Sequence, residues 1–230
     1  MDIYNIKLAI MKNILFILLV SILLIGCKDD AQFDPTIFNS DLSIIENLEN
    51  GVPVLDIASQ TSIDAFYGLE FGGGFIFHVD EIDGTLMVAR DYAIAGNVAW
   101  GDHFDLLTGS SIGDGLENTQ IMVNMNAEDN SLVPNGLEFG SDDYVFKIAL
   151  DLKHEGFDDW FIPSSDSMKA IFDNVHTNGM GNFNQTYIYW TSTKEGYNPY
   201  VMGFNLNSWG GEAFAGSCFN VNGILVVRKF

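Results

Sequence analysis

Two stretches of the chain carry side chains whose types and spacing could bind a ligand. The first is glycine-rich and acidic, and its carboxylates are the hard oxygen donors that Ca²⁺ prefers. They belong to Asp102, Asp105, Asp114 and Glu117. No EF-hand loop is present, so solvated loop acids are the preferred interpretation, and a calcium site formed by these four residues is the alternative hypothesis.

The second stretch, residues 196–211, combines aromatic rings with side-chain amides. Rings can stack on sugars, and amides can hydrogen-bond to sugar hydroxyl groups. The members of this set are Tyr197, Tyr200, Asn205, Asn207 and Trp209. Phe204 and Leu206 alternate with them and are expected to pack inward. The pattern predicts ligand contact for the set, with core packing as the alternative.

Candidates for catalysis are weaker. No HExxH spacing or comparable zinc pattern links the histidines, which are His78, His103, His154 and His176. Cys218 could act as a nucleophile, but its neighbours Phe219 and Val221 favour a buried strand position. Asp158 and Asp159 are expected to cap backbone amides. Trp160 lies between a helix stop and a helix start, so its ring is expected to pack in the core, with a site role as the alternative. We therefore predict no catalytic residues.

The N-terminus has the pattern of a lipoprotein signal peptide. Basic residues precede an apolar run of about a dozen residues, too short for the roughly 20 that span a bilayer. The run ends in Leu24-Ile25-Gly26-Cys27, which resembles a bacterial lipobox. This pattern predicts removal of residues 1–26 and lipidation of Cys27, with either Met1 or Met11 as the start. An ordinary N-terminal anchor helix is the alternative.

The residues after Cys27 bear on location and partners. Lys28-Asp29-Asp30 resembles the charged signal that directs some bacterial lipoproteins to the outer face of the outer membrane, and the periplasmic face is the alternative. Removing residues 1–26 deletes two lysines and one aspartate, which changes the net charge from −21 to −22. Such a surface disfavours nucleic acid and favours cationic partners or divalent ions, although solubility alone also explains it.

The elements that must position these residues follow a tether. Residues 27–40 lack periodicity and are expected to be flexible. Residues 41–69 alternate apolar clusters with Asn50-Gly51 and Pro53, which predicts a short helical lead-in segment. Residues 70–230 form the predicted main domain. Within it, Asp83-Gly84 separates the apolar runs 75–79 and 86–89, a hairpin pattern.

Three helices are predicted between strands at the two ends of this domain. Apolar residues at helical spacing define the first, namely Val145, Ile148, Ala149 and Leu152. Asp142 and Asp143 stand near its start and Gly156 provides a stop. A second follows Ser164 and ends near Val175, and a third spans residues 118–125. Residues 187–192, 200–205 and 219–229 are β-rich, so the fold class is α+β.

Short motifs, in order, give residues 68–230 a family resemblance. They are Gly72-Gly-Gly-Phe-Ile-Phe-His-Val-Asp80, Ala99-Trp-Gly101, Ile112-Gly-Asp-Gly-Leu-Glu-Asn-Thr119, Gly156-Phe-Asp-Asp-Trp-Phe-Ile-Pro-Ser164, Tyr189-Trp-Thr-Ser192 and Val227-Arg-Lys-Phe230. This order resembles the Lcl C-terminal domain family of bacterial surface lipoproteins. The resemblance implies a C-type-lectin-like mixed sheet, with paired N- and C-terminal strands and two to three flanking helices. Such a domain is distantly similar to sulfatase-modifying factors.

The resemblance implies a non-enzymatic binding or adhesion module for a glycan or protein ligand. An enzyme related to sulfatase-modifying factors is one alternative, and a structural envelope lipoprotein is another. The chain departs from the family where many members carry cysteines, at Asp102 and Ala149, which implies the loss of one disulfide. It also has Leu225 at the first arginine of the terminal motif, leaving Arg228 alone.

Overall fold

The computed structural model describes residues 34–92, 98–101, 106–128, 144–207, 210–218 and 220–230. A compact unit extends from Phe38 to Phe230. The predicted signal peptide and Cys27 lie outside the described residues. Within those ranges, no helix has the length and apolar character needed to cross a membrane.

The lead-in segment folds into short helices, as its punctuation predicted. They are α1 (Ile44–Glu49), α2 (Val54–Gln60) and a 3-10 turn (Ile63–Phe66). Ser43 and Glu46 form a capping box that satisfies backbone amides at the start of α1. Buried Asn47 joins α1 to the preceding chain by accepting from the Asn39 amide at 2.9 Å and donating to the Asn39 carbonyl at 3.0 Å. The compact unit therefore includes residues of the expected tether.

The lead-in helices are one layer of the domain, because their apolar side chains pack against strands of the first sheet. Val52, Ile57 and Phe66 are buried with residues of that sheet, in a cluster completed by Ile76, Val79, Leu86 and Val88. Residues 41–69, which the sequence separated from the main domain at 70–230, therefore share a hydrophobic core with it.

The first sheet is antiparallel, and its strand order is β1-β2-β3-β9. Its strands are β1 (Glu70–Phe71), β2 (Gly74–Val79), β3 (Leu86–Tyr92) and β9 (Ile224–Lys229). The predicted hairpin is formed by β2 and β3. Gly84 has a φ of +76° in the connecting turn, a region that favours glycine. The C-terminal strand β9 pairs with β3, so distant parts of the chain share this sheet.

Two smaller sheets are also antiparallel. One joins β4 (Val98–Ala99) to β8 (Val221–Asn222). The other has the order β5-β6-β7 and contains β5 (Ile188–Glu195), β6 (Asn198–Gly203) and β7 (Ala213–Ala215). Single bridges such as the parallel one between Tyr189 and Gly223 connect the sheets. The fold is therefore α+β, as predicted, but its named strands in the described ranges form antiparallel sheets and not the expected mixed sheet.

The three predicted helices are present with shifted ends. They are α3 (Gly115–Glu128), α4 (Val145–Asp151) and α5 (Ser165–Ile171), which continues as a π-helical turn (Phe172–His176). The N-cap of α4 is Tyr144, not an aspartate, and Asp142 and Asp143 lie outside the described residues. This helix stops before Gly156 because Leu152 adopts an extended conformation.

The core contains the apolar stripe of the predicted helix that begins at Val145. Trp160 is fully buried, which confirms its predicted packing role, and lies in a cluster with Trp100 and Trp190. Cys218 is buried, as expected for a small apolar side chain, but it lies in a turn between β7 and β8 and not on a strand. A second cluster, centred on α5 and β5, includes Tyr189 and Phe204. Phe204 packs inward as expected, whereas Leu206 is 57% exposed, so the expectation for Leu206 is wrong.

Candidate ligand cleft

Several of the motifs meet in a partly buried hydrogen-bond network around the loop of residues 108–111. The side chain of Asn118 donates to the Gly109 carbonyl at 2.8 Å and accepts from the Gly109 amide at 3.0 Å. Its amide also donates to Ser192 Oγ at 3.0 Å. Asn118 itself is 3% exposed, so its side chain is shielded from water although Gly109 is exposed. One side chain of α3 therefore fixes the backbone of the loop.

Residues from β5 and from the start of α5 hold the same loop. Thr193 Oγ1 donates to the Gly109 carbonyl at 2.9 Å and accepts from the Ser165 amide at 2.9 Å. Ser164 Oγ donates to the Ser111 carbonyl at 2.8 Å. Because α3, β5 and α5 each contribute bonds, the loop is preorganised by elements far apart in sequence.

A cleft of about 500 Å³ opens between this loop, α5 and the β5-β6-β7 sheet. We call it the polar cleft because most of the residues that line it carry a hydroxyl or charged group. Its hydroxyl groups come from Ser110, Ser165, Thr193 and Tyr200. Its charged groups come from Asp166, Glu195, Glu212 and Lys169. The wall therefore offers hydrogen-bond donors and acceptors together with an excess of carboxylates.

The hydrogen bonds of the wall define which groups a ligand could meet. Tyr200 donates its phenol proton to Glu195 Oε2 at 2.7 Å, and this bond raises the pKa of Tyr200. Lys169 donates to Asp173 Oδ1 at 2.6 Å and is thereby partly neutralised. Asp166 and Glu212 are exposed carboxylates on the same wall. The arrangement suits a hydroxyl-rich ligand that is neutral or cationic. Its hydroxyl groups could donate to the carboxylates, and the carboxylates outnumber the one lysine of the wall.

The predicted sugar-binding residues do not form one patch. Tyr200 lines the polar cleft, whereas Tyr197 lies at the β5–β6 turn and is 68% exposed. Asn205 and Asn207 follow the opposite end of β6, whose six residues span roughly 17 Å in an extended strand. The Asn205 side chain accepts from the Asn207 amide at 2.9 Å. Trp209 lies outside the described residues.

The predicted calcium ligands are only partly described. Asp102 and Asp105 lie outside the described residues. Asp114 uses its carboxylate within the loop, accepting from the Ser111 amide at 2.9 Å, and Glu117 is exposed in the first turn of α3. Among the residues that the structure describes, no group of three or more potential ligands is placed to hold a metal ion.

The histidines have structural surroundings where they are described. His176 is buried, with Nε2 2.7 Å from the Phe204 carbonyl, and His154 Nε2 lies 3.1 Å from Glu155 Oε1. Burial lowers the pKa of His78. His103 lies outside the described residues.

The expectation that Asp159 caps a backbone amide is wrong. Its carboxylate forms an ion pair with Arg228, with Nε–Oδ1 2.7 Å and Nη2–Oδ2 3.0 Å. The neighbouring Asp158 is exposed. The ion pair forms because Phe161, two residues after Asp159, bridges to Val227, one residue before Arg228.

Sequence patterns missed most of the polar cleft. Asp166, Glu195 and Glu212 come from three segments that no local spacing connects. The motifs around Asn118 and Ser192 are the available signal, because they hold the loop beside these residues.

The chain matches no family model and no curated protein sequence in the comparisons made. The class defined by the fold and the site is thus an α+β domain with a polar surface cleft. The family resemblance rests on the motifs alone.

Proposed function

We propose that this protein is a membrane-anchored, cell-surface, non-enzymatic binding module that recognises a glycan. The observation that carries the proposal is the polar cleft, in which the Tyr200–Glu195 pair stands beside a loop held by Asn118 and Thr193. A rigid wall of donors and acceptors suits a ligand rich in hydroxyl groups, since little entropy is lost in ordering the protein. The predicted lipid on Cys27 would place the domain at a membrane.

The lectin-like part of the proposal draws support from topology and motifs. In the proposed C-type-lectin-like arrangement, strands from the two ends of the domain pair with one another, and β3 pairs with β9 here. The motifs of the Lcl C-terminal domain family supply buried bonds, including the one from the Thr119 hydroxyl to the Gly115 carbonyl. A resemblance of this kind supports the fold more strongly than the ligand, because related folds bind unrelated ligands.

The charge of the polar cleft limits which class of glycan it could bind. Asp166, Glu195 and Glu212 stand against one lysine, which is itself paired with Asp173. A sulfated or carboxylated glycan would be repelled, whereas a neutral or amino sugar would meet acceptors for its hydroxyl or ammonium protons. We therefore propose a neutral or amine-bearing glycan.

The test is a glycan array probed with the full-length protein in detergent micelles, followed by titration of the best glycan. Tyr200→Phe should weaken binding about tenfold, because it removes one hydroxyl from the cleft wall. Tyr197→Phe is the matched control, since Tyr197 lies at the β5–β6 turn and does not line the cleft. Unchanged affinity of Tyr200→Phe would overturn the assignment of the cleft, and absence of any bound glycan would favour a protein ligand.

A variant of Trp209 tests whether the predicted sugar-binding residues of the segment 196–211 contact a ligand. If its ring contacts ligand, Trp209→Ala should weaken binding about thirtyfold without changing the melting temperature. If the ring is buried, the same substitution should lower the melting temperature by several degrees. A melting curve and a binding curve on this variant distinguish the two positions.

A further inference from the structure

Among the described residues that line the polar cleft, Ser165 alone combines burial with a side-chain hydroxyl that has no hydrogen-bond partner. It is 8% exposed and lies at the start of α5. Its backbone amide donates to Thr193 Oγ1 at 2.9 Å, but its own hydroxyl forms no hydrogen bond within the described part of the chain. A hydroxyl that is withdrawn from water without gaining a partner is costly. A ligand group in the cleft would supply the partner.

The hydroxyl groups next to Ser165 are engaged in holding the loop of residues 108–111. Ser164 Oγ donates to one loop carbonyl at 2.8 Å and lies 3.0 Å from Ser167 Oγ. Thr193 Oγ1 donates to another loop carbonyl at 2.9 Å. A hydroxyl group has one proton to donate, so Ser164 and Thr193 have spent theirs within the protein. Ser165 therefore retains both its donor and its acceptor capacity.

Two carboxylates of the same wall are also without a bonded partner. Within the described ranges, the side chains of Asp166 and Glu212 take part in no hydrogen bond or ion pair. Glu195 accepts a hydrogen bond from Tyr200, and Lys169 donates to a carboxylate one turn further along its own helix. The groups of the wall left for a ligand are thus two anions and one buried hydroxyl.

We infer that the polar cleft selects an amino sugar whose amine is free, and that Ser165 binds one of the hydroxyl groups of that sugar. An ammonium group carries a positive charge and three donors, which match the carboxylates of Asp166 and Glu212. A neutral sugar would satisfy Ser165 but would gain less at the carboxylates, because hydrogen bonds between two charged groups are stronger. The inference rests on the proposed glycan-binding function and adds the chemical class of the sugar.

The experiment is calorimetric titration of the full-length protein, in micelles of an uncharged detergent, with a β-linked glucosamine trisaccharide. A mildly acidic buffer keeps the amines protonated. The same trisaccharide with its amines acetylated is the matched probe, and we expect it to bind at least tenfold more weakly because it keeps the hydroxyl groups but not the charge. Equal binding of the two would overturn the selection of an amine.

Binding of neither trisaccharide would also overturn the inference. The proposed function would then stand or fall separately, on whether Tyr200→Phe weakens the binding of another glycan.

Ser165→Ala tests the buried hydroxyl. It should weaken binding of both trisaccharides about tenfold, because each keeps the sugar hydroxyl groups, and it should not lower the melting temperature, because the hydroxyl has no partner in the described protein. Ser59→Ala, which removes an exposed hydroxyl from α2, is the control and should leave affinity unchanged. If Tyr200→Phe weakens binding and Ser165→Ala does not, the role of Ser165 is refuted while glycan binding in the cleft is supported.

Glu212→Gln tests the anions. It should weaken binding of the glucosamine trisaccharide about fivefold and leave binding of the acetylated form unchanged, because only the former carries an ammonium. Asp158→Asn removes an exposed carboxylate that does not line the cleft, and it should change neither affinity. Equal weakening by the two variants would show that the general negative charge of the protein is responsible and would refute the site.

Discussion

Arg228 is buried while its ion-pair partner Asp159 is half exposed, with side-chain exposures of 7% and 50%. The guanidinium also donates to the Gly72 carbonyl at 2.9 Å and so joins the C-terminal strand to the β1–β2 turn. Gly72 has no room for a side chain, because an added Cβ would lie 2.0 Å from Phe230. One arginine thus connects three segments of the chain.

Asp159→Asn should lower the free energy of unfolding by about 2 kcal/mol, because it leaves a buried guanidinium without its anion. The loss is smaller than for a fully buried pair, since water still reaches Asp159. Urea denaturation measures it. Asp158→Asn is the control and should change stability little, because Asp158 is exposed. Equal effects of the two variants would show that the ion pair contributes nothing specific.

Asn118→Ala should destabilise the protein by about 3 kcal/mol. It removes three hydrogen bonds made by a buried side chain, including the one that the Gly109 amide donates to Asn118. Asn124→Ala, on an exposed position of the same helix, should be neutral or slightly stabilising, because alanine favours helices. Chemical denaturation of both variants gives the comparison, and a harmless Asn118→Ala would mean that the loop is not held by this side chain.

Trp160→Ala should cost about 3 to 5 kcal/mol, because the ring is fully buried and its removal leaves a cavity. Folding should be affected before binding. Denaturation and ligand titration on the same sample separate the two effects. A variant that melts like the wild type but loses a ligand would reassign Trp160 to a binding site.

Asp91→Asn should raise the melting temperature at neutral pH. Burial raises the pKa of Asp91 in the folded protein, so this residue contributes stability below its ordinary pKa of about 3.9 and that contribution is lost as the pH rises through the folded-state value. The advantage of the variant should therefore disappear on acidification.

Asp83→Asn should show the opposite dependence of stability on pH, because the pKa of Asp83 is lowered and that of Asp91 is raised. Bonds from Thr85 lower the pKa of Asp83, so its contribution is present above the ordinary pKa and is lost as the pH falls through the folded-state value. Asp83→Asn should thus be less stable than the wild-type protein at neutral pH. Melting temperatures measured between pH 3 and pH 7 test both predictions. A difference between wild type and Asp91→Asn that does not change with pH would contradict the first.

Cys27→Ala should abolish lipidation, because the acyl chain requires the thiol. The wild-type protein should incorporate labelled palmitate and partition into detergent, whereas the variant should accumulate as an unlipidated precursor. Cys218→Ala is the control and should label normally. Protease treatment of intact cells then tests surface exposure, since protection of the domain would place it on the periplasmic face.

The sequence by itself determined the elements that depend on local patterning. Helical spacing from Val145 to Leu152 predicted α4, and the apolar runs around Asp83-Gly84 predicted the β2–β3 hairpin. Each follows from periodicity and turn chemistry within a short stretch, which neighbouring residues impose on one another directly. The buried position of Trp160 was predicted in the same way, from its place between a helix stop and a helix start.

Only the tertiary structure decided which distant residues meet. It separated Tyr197 from Asn205 along β6, paired Asp159 with Arg228, and brought Tyr200 together with Asp166 in one cleft. It also made residues 41–69 a layer of the core. These outcomes depend on strand pairing between remote segments, which local sequence does not encode. The register of β9 on β3 and the connection of Tyr189 to Gly223 depend on how whole sheets bury their apolar faces.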